Sequence, residues 1–167
     1  MENKLLSNEE AEKSVLAALL MNNENYYRVN GKLKNELFWS EKNKSLFKAI
    51  VSIIKNEKVA DMITVTQFFL ETKQNVSWQP FEIVELSSCI ATDVTFLQNV
   101  AILCDLHTRR QYWEFGQRLI MSGIDMSVST DDIKQQLSNI LNTTDEETSE
   151  IISLEEANNN LLKKVEA

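Results

Sequence analysis

Apolar residues recur along most of this chain at intervals of three and four, the spacing that gathers side chains on one face of a helix. Ser7-Asn8-Glu9-Glu10 opens the first such segment as a capping box, in which the Ser7 hydroxyl bonds the amide of Glu10 and the Glu10 carboxylate reaches back. Ala11, Val15, Ala18 and Leu19 then keep i, i+4, i+7, i+8 spacing, and Leu16 and Leu20 broaden the stripe. A short helix follows from about Glu24 to Lys32, burying Tyr27, Val29 and then Leu33. Ser40 caps a third, whose inner face is Leu46, Phe47, Ile50, Val51 and Ile54. Asp61 to Thr64 starts a fourth, with Val65, Phe68, Phe69 and Leu70 inside. Pro80 suits the first turn of a fifth, where its missing donor costs nothing, and Phe81, Ile83, Val84 and Leu86 follow. Residues 1–92 therefore read as a compact multi-helix head.

The pattern changes after that. From Thr92 to Ser122 there is no Pro and a single Gly, Gly116, while apolar residues continue at helical spacing. Val94, Leu97, Ala101 and Cys104 mark the first half, and Tyr112, Phe115, Leu119 and Ile120 the second. At 1.5 Å per residue about thirty residues span ~45 Å, whereas a small domain is about 30 Å across, so this helix is expected to protrude. Residues 123–128 read as a turn, and Ser129 or Thr130 caps a returning helix carrying Ile133, Leu137, Ile140 and Leu141. Residues 93–141 thus form an antiparallel helical hairpin. Residues 142–152 are polar and acidic, a flexible linker. A second capping box at Ser153 opens a terminal helix over 153–167, whose stripe of Leu154, Ala157, Leu161, Leu162 and Val165 calls for a partner.

Composition sharpens the fold class. Three Gly and one Pro in 167 residues are too few for a sheet protein rich in tight turns, so the expected class is all-α. A net charge of −8 argues against a surface built to neutralise a nucleic-acid backbone. Cys89 and Cys104 lack C-x-x-C spacing and sit in apolar runs, as reduced, buried thiols of an intracellular protein do. The sequence shows no signal peptide and no apolar run near the ~20 residues that span a bilayer, so a cytoplasmic location without membrane contact is expected.

Candidate chemistry is sparse. His107 is the single histidine and lies one turn from Cys104, but no orienting group or oxyanion donor accompanies the pair. The carboxylates fall at caps, linkers and exposed faces, and no calcium loop or Gly-rich phosphate cradle occurs. No catalytic, cofactor or metal residues are assigned. Arg109-Arg110 followed by Tyr112 and Trp113 mixes basic and aromatic residues. Together with Arg118 it supports an alternative reading as a free-standing nucleic-acid-binding module, but aromatic residues at helical spacing favour a protein interface.

The order of these features resembles the N-terminal domain of DnaB-type replicative DNA helicases, over roughly Leu6 to Leu141. The run from Glu10 to Leu20 is similar to the family's E-A-E-x-S-[VL]-L-G-[AS]-[LM]-L. Val29, Leu33 and Phe38 fit V-x-x-x-L and the [ED]-x-F step, and Leu46-Phe47-Lys48-Ala49-Ile50 fits [IL]-[FY]-x-[AE]-[IM]. Asp61 to Val65 matches D-[LP]-[VI]-T-[VL], Val84-Glu85-Leu86 falls in the L-x-x-L region, and Arg110 stands at the Arg of the long helix. Asn43 and Lys44 stand where the family's usual histidine falls, and Val76-Ser77-Trp78 replaces a common Gly-Gly pair.

The resemblance implies a non-enzymatic collar domain that self-assembles, as a dimer up to a hexameric ring, and receives the C-terminal domain of primase and, in some lineages, a helicase loader. Subunit contacts are expected on the hairpin from Tyr112, Trp113, Phe115, Leu119, Ile120, Ile133, Leu137 and Ile140. The terminal helix, through Leu154, Leu161, Leu162 and Val165, is expected to dock on a neighbouring subunit. ATP, Mg and DNA unwinding would belong to a RecA-like motor domain missing from this chain, which then reads as a fragment. DNA would be met only through the full-length ring.

Overall fold

The computed structural model describes residues 6–29, 31–72, 78–87 and 93–139, and among them every regular element is helical. The linker and terminal helix expected over 142–167 lie outside the described residues. The helices are α1 (Glu9–Met21), α2 (Glu24–Arg28), α3 (Glu41–Lys55), α4 (Met62–Thr72), α5 (Pro80–Ser87), α6 (Asp93–Ile124) and α7 (130–139), with a 3₁₀ turn at Asn35–Leu37. Two compact units result, Met1–Leu103 and Cys104–Ala167, and α6 runs through the boundary.

In the first unit α1 is the central element, packed on α2, α3 and α5, while α4 packs on α3 and α5. The six residues from Val15 to Leu20 are all buried, and a helix apolar on every side belongs inside. Each fully buried Val or Leu there contributes about 1.5–3 kcal/mol. Leu46, Phe47, Ile50, Ile53 and Ile54 of α3 close on it, and the Phe47 ring lies 4.9 Å from that of Phe38.

One polar group sits in this core. The Glu12 side chain, 1% exposed, accepts from the backbone amides of Trp39 (2.6 Å) and Ser40 (3.4 Å) and from Asn43 Nδ2 (2.7 Å). These donors surround the N-terminus of α3, where orphan amides and the helix dipole favour a carboxylate. Ser40 is the N-cap residue but makes no side-chain cap bond. Glu12, from 28 residues away, instead binds the backbone that leads into α3 and the Asn43 side chain of its first turn. The first helix is likewise capped one residue later than expected. Asn8 Oδ1, not Ser7, accepts from Ala11 N at 3.0 Å.

Asparagines close the other end of α1. Asn25 Nδ2 donates to Ala18 O, and Asn23 Nδ2 donates to both Leu19 O and Ala60 O while its Oδ1 accepts from Ala60 N. Terminal helix carbonyls are thereby satisfied and the approach to α4 is tied to α1. This use of Asn25 turns α2 over: Asn25 is buried and Tyr27, expected inside, is 63% exposed. The helix also ends at Arg28, before the turn at Gly31, where φ is +79°.

Asp61 caps α4, its Oδ1 accepting from the amides of Thr64 (2.8 Å) and Ile63 (2.9 Å) while Thr64 Oγ1 accepts from Asp61 N (2.9 Å). The Thr64 amide is the chief reason the Asp61 carboxyl titrates below its ordinary value. Val65 and Phe69 are the buried pair of α4, Phe68 is half-buried, and Leu70 is exposed. In α5, Ile83 and Leu86 point inward and Phe81 and Val84 outward. In α6 the buried stripe is Phe96, Val100 and Leu103; Leu97 and Ala101, expected inside, are half-buried. Asn99 Nδ2 donates to Ser14 Oγ of α1 at 2.8 Å on this side.

Replacing Glu12 with Ala should cost about 3 kcal/mol, because buried amide donors lose their acceptor. Glu12→Gln, which keeps shape and one acceptor oxygen, should cost less; urea denaturation of both variants checks this. Asp61→Ala should cost about 1 kcal/mol at neutral pH, a typical cap value. A carboxyl whose pKa is lowered by folding stabilises the fold above its unfolded pKa, and that contribution disappears as pH falls through the folded one. The difference between wild type and Asp61→Ala should therefore shrink in acid, below the usual carboxylate range.

Candidate protein interface

The second unit is built by the C-terminal part of α6, a turn and α7. Asp125 Oδ1 accepts from Ser127 N (2.9 Å) and Ser127 Oγ (2.6 Å), and both bonds, the hydroxyl's first, lower the Asp125 pKa. Ser129 Oγ accepts from Asp132 N at 3.1 Å and donates to Asp132 Oδ2, a cap that starts the return helix. Gln136 of α7 shares a shallow cleft with Gln117, Arg118, Met121 and Ser122 of α6, so the two helices run side by side in opposite directions. Phe115, Leu119 and Ser122 recur at i, i+4, i+7 and are half-buried, as is Ile133 on the return.

The apolar side chains on the other flank of α6 face water. Trp113 is 45%, Ile120 66% and Ile124 71% exposed, and Tyr112 and Met121 adjoin them. At 100° per residue this stripe lies about 150° around the helix from the half-buried row. Gly116 falls between Trp113 and Ile120, and a Cβ added to it would meet nothing within 4 Å. Glycine in a helix interior is disfavoured by about 0.5–1 kcal/mol against alanine, and none of the described residues requires it here. Of the hairpin residues expected at an interface, Tyr112, Trp113, Ile120 and Leu137 are exposed and Phe115, Leu119 and Ile133 half-buried. Ile140, Leu154, Leu161, Leu162 and Val165 lie outside the described residues. Ile124 and Met121 were not anticipated, although they continue the Trp113–Ile120 stripe at i+4 and i+1.

The arginines that suggested nucleic acid do not form one surface. The Arg109 guanidinium bonds Asp105 at 2.7 Å, and that hydrogen bond chiefly raises its pKa. Arg110 is buried, and Arg118 is exposed one turn after Glu114. Cys104 is buried and His107 half-buried, and the Cys104 carbonyl accepts from Thr108 Oγ1. In the first unit a cleft of about 300 Å³ holds paired charges: Lys42 Nζ bonds Glu82 at 2.6 Å and stands 4.5 Å above the Trp78 ring, and Lys13 pairs with Glu9. The Glu82 carboxyl is held below its ordinary value first by the Gln79 amide and then by Lys42. Among the described residues no group of three or more His, Cys, Asp or Glu gathers, and no helix is long and apolar enough to cross a membrane.

The described residues thus form a helical unit followed by a helical hairpin that leaves an apolar stripe in water. A family model described as the DnaB-like helicase N terminal domain matches residues 4–105. The chain belongs to that family, in agreement with the order of its sequence motifs. The fold is similar to the crystal structure of the N-terminal domain of DnaB helicase from Mycobacterium tuberculosis, with a TM-score of 0.70 and 18% identity over 80% of this chain and 97% of that one. No curated protein matches the sequence.

Removing either neighbouring arginine should have different consequences. Arg109→Ala should leave the unfolding midpoint nearly unchanged, since its ion pair is exposed. Arg110→Ala should cost about 2 kcal/mol or more, because a buried side chain and its partners are lost. Thermal or urea unfolding of the two variants separates them.

Proposed function

We propose that this chain is an oligomerisation and protein-docking domain of a DnaB-type replicative helicase, with no catalysis of its own. The observation that carries this reading is the exposed apolar stripe of α6, from Trp113 through Ile120 to Ile124, on a member of the helicase N-terminal domain family. A contiguous apolar strip beside a polar return helix stays in water only at a cost, and association removes it. Self-assembly through the hairpin, up to a hexameric ring, is the first role. Docking of the primase C-terminal domain, and of a loader in lineages that have one, is the second. ATP hydrolysis with Mg and contact with DNA belong to a motor domain acting with this one.

The nucleic-acid alternative has less support, because Arg109 is engaged by Asp105 and Arg110 is buried. Multi-angle light scattering of the 167-residue chain should show a mass above 19.2 kDa that rises with concentration. A monomer at every concentration, combined with single-stranded DNA binding that weakens steeply with salt, would overturn the proposal in favour of the alternative.

A further inference from the structure

The corner between α3 and α4 leaves apolar side chains in water. At about 100° per residue, Met62, Ile63, Thr66 and Leu70 fall within one arc of about 100° on α4, and the buried Val65 and Phe69 fall outside it. Ile63 is 68% and Leu70 74% exposed, and Met62 is exposed beside them. The Thr66 hydroxyl donates to the Met62 carbonyl, so the polar group of the arc is already satisfied. Val59, also exposed, is held at the start of α4, where its carbonyl accepts from Thr64 Oγ1 at 2.8 Å.

Lysines border this face. Lys55 ends α3, Lys58 immediately precedes Val59, and both are exposed. Neither makes an ion pair among the described residues, whereas Lys13, Lys42, Lys44 and Lys134 each do. Glu57 is the single carboxylate from Ser52 to Ala60, so this connection is net positive in a chain of net charge −8. Outside the described residues the chain holds a segment of the opposite character. Asp145, Glu146, Glu147 and Glu150 place four carboxylates in six residues, and Ile151 and Ile152 follow directly. The two isoleucines precede the capping box at Ser153, and the stripe expected on the terminal helix does not use them. We infer that residues 145–152 dock on the α3–α4 corner of their own chain. The carboxylates meet Lys55 and Lys58, and the isoleucines meet the Met62–Leu70 arc.

Two arguments select this occupant. Charge and apolar character stand side by side in both partners, Lys58 next to Val59 in one and Glu150 next to Ile151 in the other. Reach is the second. Ile151 is twelve residues beyond Asn139, the last described residue, and twelve extended residues span roughly 40 Å. That exceeds the ~30 Å diameter of a small domain. A short flexible tether also keeps its end at millimolar effective concentration, which favours contact within the chain over contact between chains. Exposed ion pairs contribute little individually, so burial of the isoleucines provides most of the attraction and the lysines set the direction. Docked in this way, the segment shortens the reach of whatever follows Ser153.

Zero-length carbodiimide cross-linking of the 167-residue chain, read by mass spectrometry, tests this. The reagent joins a lysine amine to a carboxylate with loss of water, and so reports pairs in contact. Lys55 and Lys58 should couple to the carboxylates of residues 145–150. The Lys42–Glu82 pair, at 2.6 Å, is the internal standard for a folded first unit. Ile63→Ser combined with Leu70→Ser should lower the yield roughly fivefold or more against that standard, and both positions are exposed, so the fold should be kept. Ile151→Ser combined with Ile152→Ser should lower it to the same extent. Absence of the cross-links in wild type would overturn the inference. Yields unchanged in both double variants would also overturn it, since charge attraction alone would then explain the pairs. An equal mixture of ordinary and isotope-labelled chains separates the remaining case. Cross-links within one isotope support docking in the same chain, and cross-links joining the two isotopes place the segment on a second copy and overturn it. The assembly reading is tested apart from this, by the mass of the untreated chain.

Discussion

The carboxylate of Glu12 is the constraint on which the first unit depends. A charged group inside an apolar core is tolerated only when strong donors surround it, and here two backbone amides and the Asn43 side-chain amide do so. The arrangement couples three features. It fixes α1 against the start of α3, holds the Asn43 side chain in the first turn of that helix, and selects the path of the chain through Phe38, Trp39 and Ser40. Asn43 has the right character for this role because its amide donates whatever the pH.

The same logic governs the remaining helix ends. Short helices expose many unpaired backbone groups for their length, and this chain closes them with side chains from elsewhere in the fold. Asn23 ties the end of α1 to the approach to α4, Asn25 returns to Ala18, and Asp61 and Thr64 bond each other's amides. These bonds set the relative positions of helices too short to be stable alone. The apolar core then provides most of the stabilisation, and the polar contacts decide which arrangement of that core forms.

Much of this was legible in one dimension. Helix-period apolar spacing located the seven α-helices among the described residues, and the scarcity of Gly and Pro indicated that helices would dominate. The buried faces of α1 and α3 were also readable, since their apolar residues leave little choice of face. Reading was less successful where two faces were plausible. In α6, Phe96, Val100 and Leu103 are buried while Leu97 and Ala101, one residue on from Phe96 and Val100, are half-buried, and Cys104 is buried as expected. Periodicity fits both, and only the position of α1, with Ser14 bonded to Asn99, separates them. Tyr27 and Leu70 were misplaced for a related reason: a large apolar residue on a short helix is not drawn inward when polar caps hold the helix in another orientation. On the hairpin, the exposed Tyr112, Trp113, Ile120 and Leu137 were nameable in advance, but which flank of α6 the return helix would cover was not.

What the sequence determined by itself is the helical class, the order of the elements and membership of the helicase N-terminal domain family, because all three depend on local spacing and short motifs. Tertiary structure alone decided that Glu12 gathers the amides leading into α3, that Asn25 and not Tyr27 turns inward, and that the flank of α6 carrying Trp113 and Ile120 faces outward. The physical reason is the range of the interactions. Apolar periodicity acts within a few turns of helix, whereas a buried carboxylate finds its donors, and a helix its covered face, among residues distant in sequence that only the folded chain brings together.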